Sequence, residues 1–187
     1  NTYKHNYKNN PLATDRLRYD VLFHTDLNRD RGLSNGIDLH NINWSNYDLI
    51  VIDESHNFRN GERSTHASDD DYENRYQKLM NKVIKQGVKT KVLMLSATPV
   101  NTNFKDLKNQ LMLAAEGDSN AFDGSLNLSN PIDKIFREAD AAFKSWAELN
   151  PEERTTQRLL EMLHFDFFGL LDSVTIARSR KHIEKYY

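Results

Sequence analysis

The sequence contains no cysteine. Disulfides, thiolate metal sites and cysteine nucleophiles are therefore excluded, and the expected compartment is a reducing, cytoplasmic one. Proline and glycine are scarce, four and seven in 187 residues, which rules out a collagen-like or low-complexity chain. No apolar run approaches the roughly 20 residues a membrane helix needs, and residues 1–10 hold no apolar signal-peptide core, so no membrane partner is expected. A dominant charge is missing too: 25 Lys and Arg face 27 Asp and Glu, net -2, and no global basic field advertises nucleic acid. What remains is a polar globular composition, 38% hydrophobic and 28% charged with mean hydropathy -0.76, long enough to bury a core. The chain does not begin with Met, and the expectation is a piece of something longer.

Local charge says more than the total. Residues 1–118 are balanced, residues 119–172 carry 5 basic and 10 acidic groups, and residues 173–187 carry 4 and 1. Three short apolar runs, 19–24, 48–53 and 91–96, read as strands without strict alternation, which places them inside a parallel sheet covered by helices and gives an α/β class. A helix is expected over 72–86, with Tyr76, Leu79, Met80, Val83 and Ile84 at helical spacing and Gly87 as its C-cap. A second should start after Asn103, its N-cap, and end at Gly117. Residues 118–131 read as a loop. Helices are then expected over 132–149 and 152–171, divided by Asn150-Pro151, with Phe136, Phe143, Trp146 and His164 in their core and a short return strand at 174–177. Residues 29–46 and 61–71 read as weakly ordered. The domain plan is 1–118, an α-helical insertion at 119–172, and a basic end at 173–187.

Chemistry concentrates at two strand ends. The run Leu49-Ile50-Val51-Ile52 leads into Asp53-Glu54-Ser55-His56, setting two carboxylates at the C-terminal edge of a parallel sheet, where α/β proteins bind ligands. One carboxylate can hold a Mg²⁺ shell while the other orients and deprotonates a water attacking phosphorus; the alternative is an Asp-Glu pair at a solvated turn. The run Leu93-Met94-Leu95 leads into Ser96-Ala97-Thr98-Pro99, whose hydroxyls can bond the neighbouring strand end. Asp69-Asp70-Asp71 is either a cation site or a solvated helix N-terminus. The scattered histidines show no zinc spacing.

These segments resemble the first RecA-like lobe of superfamily 2 helicase-like ATPases, and among them the Swi/Snf-type double-stranded DNA translocases. Asp53-Glu54-Ser55-His56 is similar to the Walker B or DExH box, and Ser96-Ala97-Thr98 to the motif coupling hydrolysis to nucleic acid. Trp44, Asn57-Phe58-Arg59-Asn60, Thr98-Pro99-Val100-Asn101, Asp106-Leu107, Gln110-Leu111 and Thr175 to Arg180 look like the Swi/Snf flanks, and Thr25-Asp26-Leu27 like the segment before the Walker B strand. The sequence departs from the pattern at Arg59, Thr102 and Ala177. It contains no Gly-x-x-x-x-Gly-Lys-Ser/Thr, so the Walker A loop and the second lobe are expected elsewhere in a longer protein.

The resemblance implies a partial RecA-like parallel sheet with flanking helices and a helical insertion, ATP and Mg²⁺ as cofactors, and duplex DNA and a second RecA-like lobe as partners. It implies Asp53 as the metal-binding residue, Glu54 as the catalytic base, and His56, Ser96 and Thr98 as coupling residues. Thr25, Arg59, Arg178 and Arg180 are expected at nucleic acid or the second lobe, with helix-dipole contacts the alternative for the two tail arginines. The charge count turns the acidic helices of 119–172 away from the duplex. An RNA helicase, a restriction-enzyme motor lobe and a non-catalytic scaffold of the same fold are the alternatives. The 187 residues alone are expected to be inactive.

Overall fold

The computed structural model describes residues 18–61, 74–86, 88–100, 103–126 and 128–177. It divides into two compact units, 1–42 and 43–187. The expected α/β class holds in its coarse form: helices accompany a small sheet that contains a parallel strand pair.

In the first unit the run 19–24 does not form the expected strand. Its backbone is engaged locally: Phe23 N–H donates to Asp26 Oδ2 (2.8 Å), Val21 O accepts from Asn35 Nδ2 (2.9 Å), and a 3₁₀ turn follows at His24–Asn28. Asp26 is buried. It accepts from Ser34 Oγ (2.5 Å) and pairs with Arg29 Nη1 (3.0 Å). Burial pushes its carboxyl up, but the Ser34, Phe23 and Arg29 contacts together hold it below the usual carboxylate range. Residues 29–46, expected to be weakly ordered, instead contain a hairpin, β1 (Leu33–Ser34) against β2 (Ile37–Asp38). Asn35 and Gly36 both take positive φ, 48° and 80°, as a tight primed turn requires.

In the second unit β3 (Leu49–Ile52) and β4 (Lys91–Met94) pair in parallel, Leu49 opposite Lys91 and Ile52 opposite Met94. One face is covered, with Ile52 buried; on the other, Leu49, Val51, Leu93 and Leu95 remain about half exposed. Only one side of this pair therefore meets the expectation of a strand buried on both faces. The crossover helix begins at Asn74, whose side chain and that of Gln77 cap one another's backbone N–H groups, and runs as α1 (Arg75–Lys78) into a π-helical turn at Leu79–Ile84. Tyr76, Leu79, Met80, Val83 and Ile84 are buried, as their spacing requires. Gly87 lies outside the described residues.

Helix α2 (Lys105–Ala114) is the hub, touching β4, the turn after β3 and the helix at 132–147. Its N-cap is Phe104, not Asn103: Phe104 N–H donates to Asp140 Oδ1 (3.0 Å) from another helix. Gly117, φ +80°, closes the C-terminus by donating to Met112 O (2.9 Å). The stretch 118–131 is not all loop but includes α3 (Asp123–Leu126). Helix α4 (Ile132–Ala147) follows, then α5 (Thr156–Met162) and α6 (Phe165–Val174). The single helix expected over 152–171 is thus two. His164 is the cap that starts the second: its Nδ1 accepts from Asp166 N–H (3.2 Å), and its side chain stands in solvent rather than in the core. Val174 is helical, and 175–177 are not a strand. Leu111 of α2 and its C-cap Ala115 share one core with Ile132, Ile135, Phe136, Ala139, Phe167 and Leu170, so the helices of 119–172 pack directly on α2. Phe136 is fully buried there, whereas Phe143 and Trp146 are half-buried.

Candidate functional site

The strand pair carries its ladder past its formal ends. Leu95 N–H donates to Ile52 O and Ser55 N–H to Leu95 O, both at 2.9 Å. Parallel strands of equal register end together, so Asp53-Glu54-Ser55-His56 lies beside Leu95-Ser96. The chain then turns sharply. Glu54 adopts the left-handed conformation, φ 49° and ψ 49°, and its carbonyl accepts from both the backbone and the side-chain N–H of Asn57 at 3.0 Å. A non-glycine residue held there costs of order 1 kcal/mol, and such strain clusters at functional sites.

That turn decides where each side chain goes. Asp53 stands exposed, one oxygen accepting from Glu54 N–H (2.9 Å). Glu54 Oε2 meets His56 Nδ1 at 3.1 Å, and the same nitrogen lies 3.3 Å from Ser96 Oγ. Ser96 Oγ in turn accepts from Thr98 N–H (3.1 Å). The structure therefore brings together Glu54, His56 and Ser96 through side chains, and Thr98 through its backbone alone, its side chain being exposed. A protonated His56 donates from Nδ1 to the Glu54 carboxylate; a neutral one can accept from the Ser96 hydroxyl.

Beneath this surface lies a contact the sequence reading did not assign. Ser55 Oγ donates to Gln110 Oε1 (2.7 Å), and Gln110 Nε2 donates to Pro99 O (2.7 Å) and Asp106 O (3.1 Å). Both side chains are almost wholly buried. One amide of α2 thus ties the Asp-Glu-Ser-His turn to the Ser-Ala-Thr-Pro segment. The sequence signals Gln110 only as a residue of a motif flank, with nothing to assign its partners. The neighbouring Asn109 similarly holds Arg59 O, next to Gly61.

Arg59 is half-buried at the C-terminal cap of the 3₁₀ turn Ser55–Phe58, and Thr25 is exposed on the first unit. Arg178, Arg180, Thr102 and Asp69 to Asp71 lie outside the described residues. Among the described residues no group of three or more His, Asp or Glu side chains is placed to hold a metal ion, and no helix is long and apolar enough to cross a membrane. Compared with family models, with curated proteins and with solved structures, the chain matches none.

Proposed function

We propose that this chain supplies the water-activating and coupling half of an ATP-hydrolysis site in a RecA-like lobe, within a Swi/Snf-type translocase acting on duplex DNA. The observation that carries the reading is the run of contacts Glu54–His56–Ser96–Thr98 across the ends of two parallel strands. Its chemistry suits the role. Glu54 is a carboxylate with an exposed face, able to take the proton of an attacking water, and its orientation depends on His56. His56 is set by Ser96, so a displacement of the Ser-Ala-Thr segment by bound nucleic acid would move the base.

Asp53, exposed at the strand end, fits the kind of Mg²⁺ site that uses one carboxylate, waters and nucleotide phosphates rather than a protein cage. Bound with ATP, the ion would neutralise charge developing on the transferred phosphoryl group. Nothing in the sequence cradles the phosphates, since a Walker A loop is missing. A Walker A loop and the second RecA-like lobe would together complete the site.

The test uses a full-length protein carrying this segment. Glu54→Gln should abolish ATP hydrolysis and leave ATP binding nearly intact, and duplex DNA should stimulate the wild type more than single strands or RNA. Normal turnover by Glu54→Gln would sink the assignment, and stimulation by RNA alone would move the reading to an RNA helicase. For the 187-residue chain alone, calorimetry should detect no micromolar ATP binding; finding it would contradict the half-site reading.

A further inference from the structure

The charge count along the sequence makes 119–172 an acidic block. Packing redistributes that charge. Helices α2 and α4 lie side by side, and between them runs an open groove of about 350 Å³ lined by Lys105, Lys108, Asp133, Arg137, Asp140 and Lys144. Four cations against two carboxylates leave an excess of two positive charges. Both carboxylates are also occupied. Lys108 Nζ pairs with Asp133, and this bond, with Arg137 nearby, holds the Asp133 carboxyl below its usual range despite partial burial. Asp140 accepts the backbone N–H of Phe104 and keeps its negative charge. Lys105, Arg137 and Lys144 remain, all exposed.

The geometry points to this groove as a binding site for the phosphate backbone of duplex nucleic acid. Arg137, Ala141 and Lys144 recur at i, i+4 and i+7, hence on one face of α4, opposite Lys105 and Lys108 at i and i+3 on α2. At 1.5 Å per residue, Arg137 to Lys144 spans about 10 Å, the axial rise of about three phosphates of one strand. A repeating polyanion matches that span better than a single phosphate does. The guanidinium of Arg137 can grip phosphate oxygens in bidentate fashion. The one aromatic ring in the lining, Phe136, is 1% exposed and offers no platform on which an unpaired base could stack. The groove therefore reads phosphates and not bases, which favours a duplex over a single strand. This inference rests on α2 and α4 and does not require the Glu54 reading, because it is tested by binding and not by turnover.

The experiment measures fluorescence anisotropy of a labelled mixed-sequence DNA duplex against the 187-residue chain over a range of salt concentrations. Three phosphate contacts give a slope of log K against log salt of about -2.7. Arg137→Ala/Lys144→Ala should lower low-salt affinity by about tenfold or more and make the slope shallower by about 1.8. Arg137→Lys/Lys144→Arg should restore most of the binding. Arg154→Ala/Arg158→Ala, just before and on α5, removes the same charge and should change neither quantity. Circular dichroism checks that each variant keeps its helices. No duplex binding by the wild type, equal losses in the two Ala pairs, or an unchanged slope in the groove pair would each overturn the proposal. So would saturable binding of pyrophosphate without duplex binding, which would indicate a small phosphate ligand, or equal competition by poly-glutamate, which would indicate an acidic protein segment.

Discussion

The Ser55–Gln110 contact makes a quantitative prediction, because both partners are buried and each bond is identified. Gln110→Leu keeps roughly the side-chain volume but removes three hydrogen bonds and leaves the Ser55 hydroxyl without its acceptor at 1% exposure. At about 1 kcal/mol net per neutral bond, with an added penalty for a stranded buried donor, the loss should be about 2–4 kcal/mol. Ser55→Ala removes one bond and strands Gln110 Oε1, a loss of about 1–2 kcal/mol. The double variant should be little worse than Gln110→Leu alone, since the shared bond can be lost only once, so the coupling energy should be about 1 kcal/mol or more. Urea unfolding followed by tryptophan fluorescence is the assay, as Trp44 and Trp146 both belong to the 43–187 unit. Additivity of the two single losses to within about 0.3 kcal/mol would show that Ser55 and Gln110 do not meet as described.

Phe136→Ala should destabilise the same unit by about 3–5 kcal/mol in urea, since it empties a ring that is 1% exposed and packs edge-on against Phe167; a loss below about 1 kcal/mol would show that the site is not the core position described. The depressed Asp26 pKa means that folding favours the ionised form, so its contribution is complete above the ordinary carboxylate value of 3.8 and fades as pH falls through the lower folded-state value. Carboxyl-carbon NMR titration should find Asp26 below 3.8 and Ser34→Ala should raise it; an unchanged Asp26 titration in that variant would refute the role given to the Ser34 bond. Gly61→Ala should cost at least about 1 kcal/mol, because φ is +61° and a Cβ there would stand 2.7 Å from the Asn109 side chain. A urea midpoint equal to wild type would show that this turn is not held as drawn.

Much of the site was legible because its parts are local. Two apolar runs of strand length, each ending in polar residues of defined type, were enough to locate Asp53, Glu54, His56 and Ser96, and equal parallel register brings their ends together. The αL turn at Glu54 was not legible: nothing in Asp-Glu-Ser-His requires a positive φ, and it is the ladder bond from Ser55 to Leu95 and the double grip of Asn57 that impose it. Gln110 was visible only as a residue of a motif flank. Its bonding depends on α2 crossing both strand ends, which periodicity does not encode.

Short-range pattern by itself determined the helices 75–84, 105–114 and 132–147, the β3 and β4 strands, and the Gly117 stop, since each rests on side-chain spacing or on backbone freedom within one turn. The Asn35-Gly36 hairpin does not belong with them: residues 29–46 read as weakly ordered from their polar composition, although Asn-Gly is the turn chemistry a two-residue hairpin uses. Only the tertiary structure decided that 19–24 is not a strand, because Asp26 and Asn35 take backbone partners a sheet would have needed. It also split 152–171 at His164, where an imidazole cap replaces helical continuity. Above all it set a face of α4 that is neutral, Asp133 and Asp140 against Arg137 and Lys144, opposite two lysines of α2 that supply the groove's excess of two positive charges, a pairing that a charge count over 119–172 does not contain.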